Sequence, residues 1–332
     1  MRSRVSAWSV PLLIVAASSA CDNVAWGGAD VQIVPPPPPQ SALEIEPDAR
    51  VFAEFGLPTG PLIFHLTDTE RGSQLIPIAE LSGASIRAIR RPPDVSQQAF
   101  ESRFRETVIP IGSQFDVFSR GARVGTFVAQ SEGPPTPCGI PTAIGPTTVV
   151  AAAVEEPEYL AFRSGLAPPA RGEFSPLQIT GPIRTYASIV AERLILQAGL
   201  PRPRSWPGAQ RHLAPLQIVD GGHPEMASTY LVGDALAVGQ PQSEGYSVFY
   251  IADYETARGY MPIYSEVRDY RSTGKAAPRL VDYVNWTEQE APEIVVQVYG
   301  REQSWYQVIS NSSGEWTKIW EGEPCATEGG SG

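Results

Sequence analysis

The sequence predicts a mainly β fold with a few helices, arranged as two β-rich lobes behind a proline-rich stalk. The 332 residues include 33 prolines, about twice the share of an ordinary soluble domain, which argues against a helical bundle. Hydrophobic residues make up 42% of the chain, enough to bury a core of one or two domains. From residue 43 onward, glycine or proline interrupts short apolar stretches roughly every eight to twelve residues, as in strand-rich proteins.

The charge of the chain excludes nucleic acid as a partner. It has 36 acidic and 25 basic side chains, a formal net charge of -11. Binding to phosphates needs clustered cations, whereas the basic residues here are scattered among more numerous carboxylates.

Residues 1–20 have the three parts of an export signal. Arg2 and Arg4 precede an apolar run over residues 7–17, and small residues lead to Cys21. The apolar run spans only about half of a hydrocarbon core of roughly 30 Å, which disfavours a membrane-spanning helix. The segment resembles the signal of bacterial lipoproteins, in which the cysteine after the cleavage site is lipidated. Ordinary cleavage and secretion is the alternative, and both outcomes place the body outside the cytoplasm.

The lipoprotein resemblance assigns Cys21 to the lipid anchor and the body to the extracytoplasmic, periplasmic face of a bacterial membrane. An acidic body is repelled by anionic lipid, so the anchor must hold the protein at the membrane. The chain has three cysteines, which leaves Cys138 and Cys325 as a predicted disulfide in an oxidising compartment. Two free buried thiols are the alternative.

The first lobe is predicted to follow a stalk. Residues 21–42 form the lipidated N-terminus and stalk, and the proline run at 35–39 favours extended polyproline II. The lobe covers residues 43–150. Its strand-like stretches include 51–55, and its predicted loop, pinned by Cys138, covers 131–145.

Two further elements are predicted in this lobe. A hairpin over residues 114–128 turns at Arg120-Gly121, because the glycine can take the positive φ that a tight turn requires. A helix over 94–107 carries Phe100 and Phe104 on one face.

The second lobe is predicted over residues 151–325, with a flexible tail at 326–332. A helix over 182–198 has Pro182 in its first turn and an apolar stripe for the core. Residues 246–320 form a predicted β-meander of five strands. Aromatic residues recur along its end and form either an exposed binding strip or cross-strand pairs within a small sheet. They are Tyr299, Trp305, Tyr306, Trp316 and Trp320.

Residues 285–296 resemble the loop and strand of an FG-GAP or VCBS-type propeller blade, a family in which alternating oxygen ligands bind calcium. The resemblance implies Asn285, Thr287, Gln289 and Glu293 as the positions of the ligands. Neutral side chains occupy three of them, whereas calcium sites depend on carboxylates. We therefore predict no cofactor and treat these four residues as weak calcium candidates.

No convergent catalytic set is found in the sequence. A Gly-x-Ser-x-Gly motif is absent, and residues 272–275 match Ser-x-x-Lys without the partner motifs of penicillin-recognising enzymes. The three histidines, His65, His212 and His223, lack the spacing of a zinc motif. We therefore expect no enzyme and no catalytic residue.

The sequence favours a membrane-extrinsic, lipid-anchored, non-catalytic structural or assembly subunit of an envelope membrane protein complex. Its expected partners are the membrane, through the anchor, and integral membrane or envelope proteins. The alternative is a secreted hydrolase or carbohydrate-binding module that uses the aromatic tail and residues 212–225.

Overall fold

The computed structural model describes residues 49–83, 85–219 and 222–323, which fall within one compact unit, Glu46–Gly332. Antiparallel strands dominate these residues and a few helices accompany them, which confirms the predicted mainly β fold. The predicted signal peptide, Cys21 and the stalk lie outside the described residues, as do Cys325 and the tail at 326–332. In the described part, no helix is both long and apolar enough to span a membrane.

The first sheet has nine strands among the described residues. They are β1 (Leu62–Thr69), β2 (Gly72–Ser82), β3 (Ser85–Arg87), β4 (Gln114–Ser119), β5 (Ala122–Val128), β6 (Ser131–Gly133), β7 (Thr142–Gly145), β8 (Thr147–Val149) and β9 (Glu158–Arg163). Their order is β6-β7-β2-β1-β9-β4-β5-β8, with β3 beside β2. A short 3-10 helix at Ala151–Ala153 precedes β9, so this sheet extends past residue 150, the predicted end of the first lobe.

The β4–β5 hairpin and the helix before it confirm two predictions. Arg120 and Gly121 both have positive φ, 52° and 76°, as a tight two-residue hairpin turn requires. Helix α2 (Gln97–Thr107) begins after Ser96, whose side chain accepts a hydrogen bond from the third helical N–H. Its buried Phe100 and Phe104 pack against one face of the first sheet.

Two predictions for this region are wrong. Residues 51–55 form part of helix α1 (Ala49–Phe55) and not a strand, because Phe52 and Phe55, three apart, pack on the same cluster as α2. Residues 131–145 are not wholly a loop, since β6 and β7 lie at its two ends and pair with each other. Glycine and proline density marked the turn but not the short strands beside it.

The second sheet consists of β10 (Gln210–Leu216), β11 (Glu225–Val232), β12 (Tyr246–Glu255) and β13 (Gly259–Asp269), in chain order. Helix α3 (Gly181–Gln197) covers its outer face, and the short helix α4 (Trp206–Ala209) leads into β10. The position of α3 confirms the predicted helix. Its apolar stripe is core, because Ile183, Val190 and Leu194 are buried against the sheet.

The third sheet follows the short helix α5 (Tyr270–Thr273). Its strands are β14 (Ala277–Val284), β15 (Glu293–Tyr299), β16 (Ser304–Ser310) and β17 (Thr317–Glu321), again in chain order. The predicted single meander over 246–320 is therefore wrong, because its strands divide between two sheets. Strands β10, β11 and β14 were not predicted from the sequence. Of these, β10 and β14 contain Pro215 and Pro278, and both are edge strands, where proline is tolerated.

The three sheets stack with the third sheet in the middle. Ile63, Phe118 and Phe162 of the first sheet share one apolar cluster with Val284 and Val295 of the third. The opposite face of the third sheet packs against the second sheet in another cluster. The order of layers is α2, first sheet, third sheet, second sheet, α3. Polar side chains on the facing strands are thereby buried between sheets.

Candidate functional site

His65 lies between the first and third sheets because side chains alternate along β1. Phe64 faces α2, whereas Ile63 faces the third sheet, and His65 shares that side with only 1% of its surface exposed. Its Nε2 lies 2.7 Å from Oε2 of Glu158, at the start of β9. Its Nδ1 lies 2.9 Å from the hydroxyl of Tyr306 on β16. The histidine thus connects two sheets.

Arg279 of β14 completes this cluster from the third sheet. Its Nη2 donates to Oε2 of Glu158 at 2.8 Å, and its Nη1 contacts the other carboxylate oxygen. Nη2 also lies 3.0 Å from Oε1 of Gln297, which accepts from the Tyr299 hydroxyl at 2.8 Å. Bidentate pairs of this kind are strong and geometrically specific. We call His65, Glu158, Arg279 and Tyr306 the inter-sheet cluster.

The cluster holds Glu158 in its ionised form. Burial by itself would raise the pKa of Glu158, but hydrogen bonds from His65 and Arg279 outweigh it and lower the pKa to about 2. An ionised carboxylate only accepts hydrogen bonds, so Nε2 of His65 carries a proton. Burial also raises the pKa of the Tyr306 hydroxyl. A carboxyl with so low a pKa is a poor general base near neutral pH.

A second polar group surrounds Asp282, next to a β-bulge of β14. Its side chain is almost fully buried, and Oδ1 accepts the backbone N–H of Arg120 at 2.9 Å and of Tyr283 at 2.8 Å. Burial outweighs these bonds and raises the pKa of Asp282 to about 8. The guanidinium of Arg120 donates to Oε1 of Glu156 at 2.8 Å. The hairpin turn therefore places one charged pair and one buried carboxyl side by side.

A cavity of about 230 Å³ joins these groups, and we call it the inter-sheet cavity. Its lining comes from the β4–β5 turn, the segment before β9, the segment before α3, β10 and β14. The polar part of the lining includes Arg120, Glu156, Glu158, His212 and Asp282. The remaining wall is mostly aliphatic. This combination is typical of small-molecule sites, in which a few polar groups fix orientation on an apolar surface.

His212 lies on β10 and lines the inter-sheet cavity. Burial, together with the nearby positive charge of Arg279, lowers its pKa to about 4. Its imidazole is therefore neutral at pH 7. Its Nδ1 is buried and has no hydrogen-bond partner, and the same is true of Nη1 of Arg120. Both residues line the cavity, but these two atoms themselves are buried within the protein.

The structure divides the five predicted aromatic residues between two faces of the third sheet. Tyr306 and Trp320 pack in the cluster shared with the first sheet, whereas Trp305 and Trp316 pack in the cluster shared with the second. Tyr299 contacts Arg279 and Gln297 instead. The five do not form one continuous strip. Among the described rings, none of the five stacks on another.

Three of the five nevertheless line one groove of about 260 Å³ at the edge of the third sheet. Trp305, Tyr306 and Trp320 line it together with residues of strand β2 and of the loop that contains Cys138. We call this the aromatic groove. Glu323, the last described residue, also lines it. Glu323, two residues before Cys325, thus lies at the same groove as Cys138.

The calcium candidates form a loop that bonds to itself. Asn285 and Gln289 exchange side-chain-to-backbone hydrogen bonds, Nδ2 to O at 2.5 Å and N to Oδ1 at 3.2 Å. The buried carboxylate of Glu293 accepts from the N–H of Trp286 at 3.1 Å and from the Thr287 hydroxyl. Burial raises the pKa of Glu293, which favours its protonated form. Over the described residues, no group of three or more His, Cys, Asp or Glu side chains is arranged to hold a metal.

Residues 212–225 do not converge on one site. His212 lines the inter-sheet cavity, whereas the ring of His223 packs on Tyr254 with centroids 4.3 Å apart. Glu225 is buried and accepts the N–H of Ile218 at 3.0 Å, and burial raises its pKa. Asp220, the fourth polar residue of this segment, lies outside the described residues.

Sequence reasoning missed most of the inter-sheet residues. Arg279 and Asp282 lie within a strand that is otherwise largely buried, and Glu158 begins another such strand. Charged residues are almost never fully buried unless they are paired. A charged residue inside a short apolar run was therefore the available signal of a buried ion pair. It does not indicate which residue is the partner.

Comparison with known proteins adds no family assignment. No protein-family model, no curated protein and no solved structure matches this chain.

Proposed function

We propose that this protein is a lipid-anchored, extracytoplasmic, non-catalytic subunit that binds an envelope membrane protein through its aromatic groove. The resemblance of residues 1–21 to a lipoprotein signal supports the anchor, and the proline run at 35–39 supports a spacer between anchor and body. The aromatic groove carries the binding part of the proposal. Large aromatic side chains are enriched at protein interfaces and dominate their binding energy.

The groove suits an extended apolar segment of the partner. Its walls combine aromatic rings with Ile76, Ile78 and the prolines of the Cys138 loop. Trp320 belongs to β17, which forms one edge of the third sheet and pairs, among the described strands, with β16 alone. An edge strand presents N–H and C=O groups to an incoming strand, while pockets beside it select its side chains.

The proposal includes the disulfide between Cys138 and Cys325. Two residues span at most about 7 Å, and Glu323 already lines the groove beside Cys138, which supports the pairing. Arg90 also contacts this segment, through an exposed ion pair with Glu323 at 2.6 Å. The bond would join the segment that follows β17 to the loop that contains Cys138.

The test uses the full-length chain in the cells that export it. A photo-crosslinking residue replaces Pro137, which is exposed and lines the aromatic groove. We expect one crosslinked membrane protein, and Trp320→Ala should lower the yield about tenfold, the effect of losing about 1.4 kcal/mol of binding. Trp316→Ala is the matched control, because this half-buried tryptophan of the same region lies outside the groove lining.

Three results would contradict the proposal. Equal crosslinking in the two variants would remove the groove as the contact surface. Displacement of the crosslink by soluble polysaccharide would favour the carbohydrate-binding alternative. Recovery of the protein in the soluble fraction with an unmodified Cys21 would remove the anchor.

A further inference from the structure

We propose that a small pocket at the end of helix α2 is a binding site for a short aliphatic carboxylate. The pocket has a volume of about 120 Å³, and α1, the loop before β1, β1 itself, the end of α2 and the end of β9 contribute to its lining. We call it the Arg163 pocket, after the charged residue of its lining. It shares no residue with the aromatic groove and does not depend on the function proposed for that groove.

The position of Arg163 follows from the pairing of β9 with β4. Arg163 lies opposite Phe115, and residues opposite each other in antiparallel strands point to the same face of the sheet. That face is the one covered by α2, since Phe115 and Phe104 belong to the same apolar cluster. The half-buried side chain of Arg163 therefore brings a guanidinium to an apolar layer.

One side of this guanidinium is bonded and the other is open. Nη1 donates to the carbonyl of Thr107, which also lines the pocket, at 3.2 Å. Nε and Nη2 bond to none of the described residues, and unlike Nη1 of Arg120 they are not buried. A ligand can therefore reach them. Together they form the side of a guanidinium that binds both oxygens of a carboxylate.

The charge of Arg163 is also uncompensated by the described residues. Arg105, Arg120 and Arg279 are similarly half-buried, and each forms an ion pair with a glutamate. Arg163 forms no ion pair with any residue that the structure describes. Charged groups that leave water are costly unless they are paired. The pocket therefore favours an anionic ligand over a neutral one.

The rest of the lining is mostly apolar and favours an aliphatic body. Its hydroxyl groups are those of Thr59 and Thr107. Six lining residues are apolar, namely Phe52, Pro58, Leu62, Phe64, Val108 and Leu166. An apolar body beside them gains from leaving water. The small volume limits the ligand to a few carbon atoms beyond its carboxylate.

The pocket is accessible as the structure stands. Leu166 is 51% exposed and Thr59 is exposed as well, so the pocket opens to solvent beside them. Phe64 and Val108, by contrast, are buried. A ligand can therefore enter without displacing a helix, with its carboxylate at Arg163 and its aliphatic end toward the buried residues.

The test titrates the purified exported chain at pH 7 with isovalerate and with isovaleramide, which has the same shape but no charge. A probe of about seven non-hydrogen atoms is expected to bind in the millimolar range. We expect isovalerate to shift the NMR signal of the Arg163 Nε–H, and isovaleramide to bind at least about tenfold more weakly. Acetate lacks most of the aliphatic body and should also bind about tenfold more weakly than isovalerate.

Two variants locate the site. Arg163→Gln should weaken isovalerate about tenfold and leave isovaleramide unchanged, because it removes the open side of the guanidinium. Arg193→Gln is the matched control, since Arg193 is also half-buried without an ion pair to a described residue but does not line the pocket. Leu166→Glu keeps the contact between Arg163 and Thr107. It should weaken isovalerate by a similar factor, because the new carboxylate repels the ligand or occupies the guanidinium, and it replaces Arg163→Gln if that variant does not fold.

Three results would overturn the proposal. Equal affinity for isovalerate and isovaleramide would remove the role of charge. Equal affinity for isovalerate and acetate would remove the role of the apolar wall. Isovalerate binding that is unchanged in Arg163→Gln and in Leu166→Glu would place the ligand elsewhere.

Discussion

The two faces of the third sheet are packed by different chemistry. Toward the first sheet, Arg279 donates to Glu158, Asp282 accepts the N–H of Arg120, and the Tyr306 hydroxyl bonds to His65 across the interface. Toward the second sheet, the interface is an aliphatic and aromatic cluster. Its cross-sheet polar contacts include hydroxyl-to-carbonyl bonds from Thr229 to Pro278 and from Ser247 to Ala276, at 2.7 and 2.6 Å.

This difference separates specificity from bulk stability. An aliphatic interface stabilises in proportion to buried area and tolerates changes of shape. Buried ions stabilise little beyond what apolar residues would, yet they penalise every arrangement in which they are unpaired. We infer that the ionic face fixes how the first and third sheets align.

The largest expected effect comes from breaking the ionic face. Arg279→Met leaves Glu158 buried without its guanidinium partner, and we expect the free energy of unfolding to fall by about 3–5 kcal/mol in urea titration. Arg103→Met removes an exposed pair with Glu106 and should cost less than about 1 kcal/mol. If Arg279→Met does not fold, the double variant with Glu158→Gln should. A loss under 1 kcal/mol for Arg279→Met would refute the role given to this face.

An intermediate effect is expected from acid. The pKa of His212 is about 4 in the folded chain, against 6.5 for a free histidine. Between pH 6.5 and pH 4, this histidine is therefore protonated in the unfolded state and neutral in the folded state. Stability should fall as pH drops from 6.5 to 4, by about 3 kcal/mol in total. The raised pKa of Asp282 has the opposite effect, because it increases stability as the pH falls. This contribution is the same in wild type and in His212→Phe, so it cancels when the two are compared. Urea titrations at several pH values give the free energy of unfolding of wild type and of His212→Phe as a function of pH. The two curves should run parallel above pH 6.5 and diverge below it. If they run parallel throughout, His212 is not desolvated.

The smallest effect is expected on the apolar face. Ile251→Val shortens a fully buried side chain between the second and third sheets, and we expect a loss of about 0.5–1.5 kcal/mol. Ile319→Val, on exposed β17, is its control and should be near neutral. A loss comparable to that of Arg279→Met would erase the contrast between the two faces.

Local features were predictable from sequence where short-range rules act. The Arg120-Gly121 turn follows from the need for positive φ, and α3 follows from its proline entry and apolar stripe. The same rules failed at Phe52 and Phe55, where a short apolar run is compatible with either a strand or a helix. They also failed at the proline-containing edge strands β10 and β14.

The candidate site could not be predicted in this way. Glu158 and Arg279 are 121 positions apart, and no local pattern specifies that they pair. The aromatic residues were recognised as a group, but their alternation along β16 sends Trp305 and Tyr306 to opposite faces. Their separation depends on the packing of the third sheet between the first and second sheets, which local sequence does not specify.

The sequence by itself determined composition, charge, the β-rich class and individual turns and helices, because each depends on neighbours within a few positions along the chain. Tertiary structure alone decided the stacking of three sheets, the pairing of distant charges and the space left between them. These features depend on which sheet faces pack together. Many arrangements of the sheets are equally compatible with the local sequence, and the burial of both faces of the third sheet selects one of them.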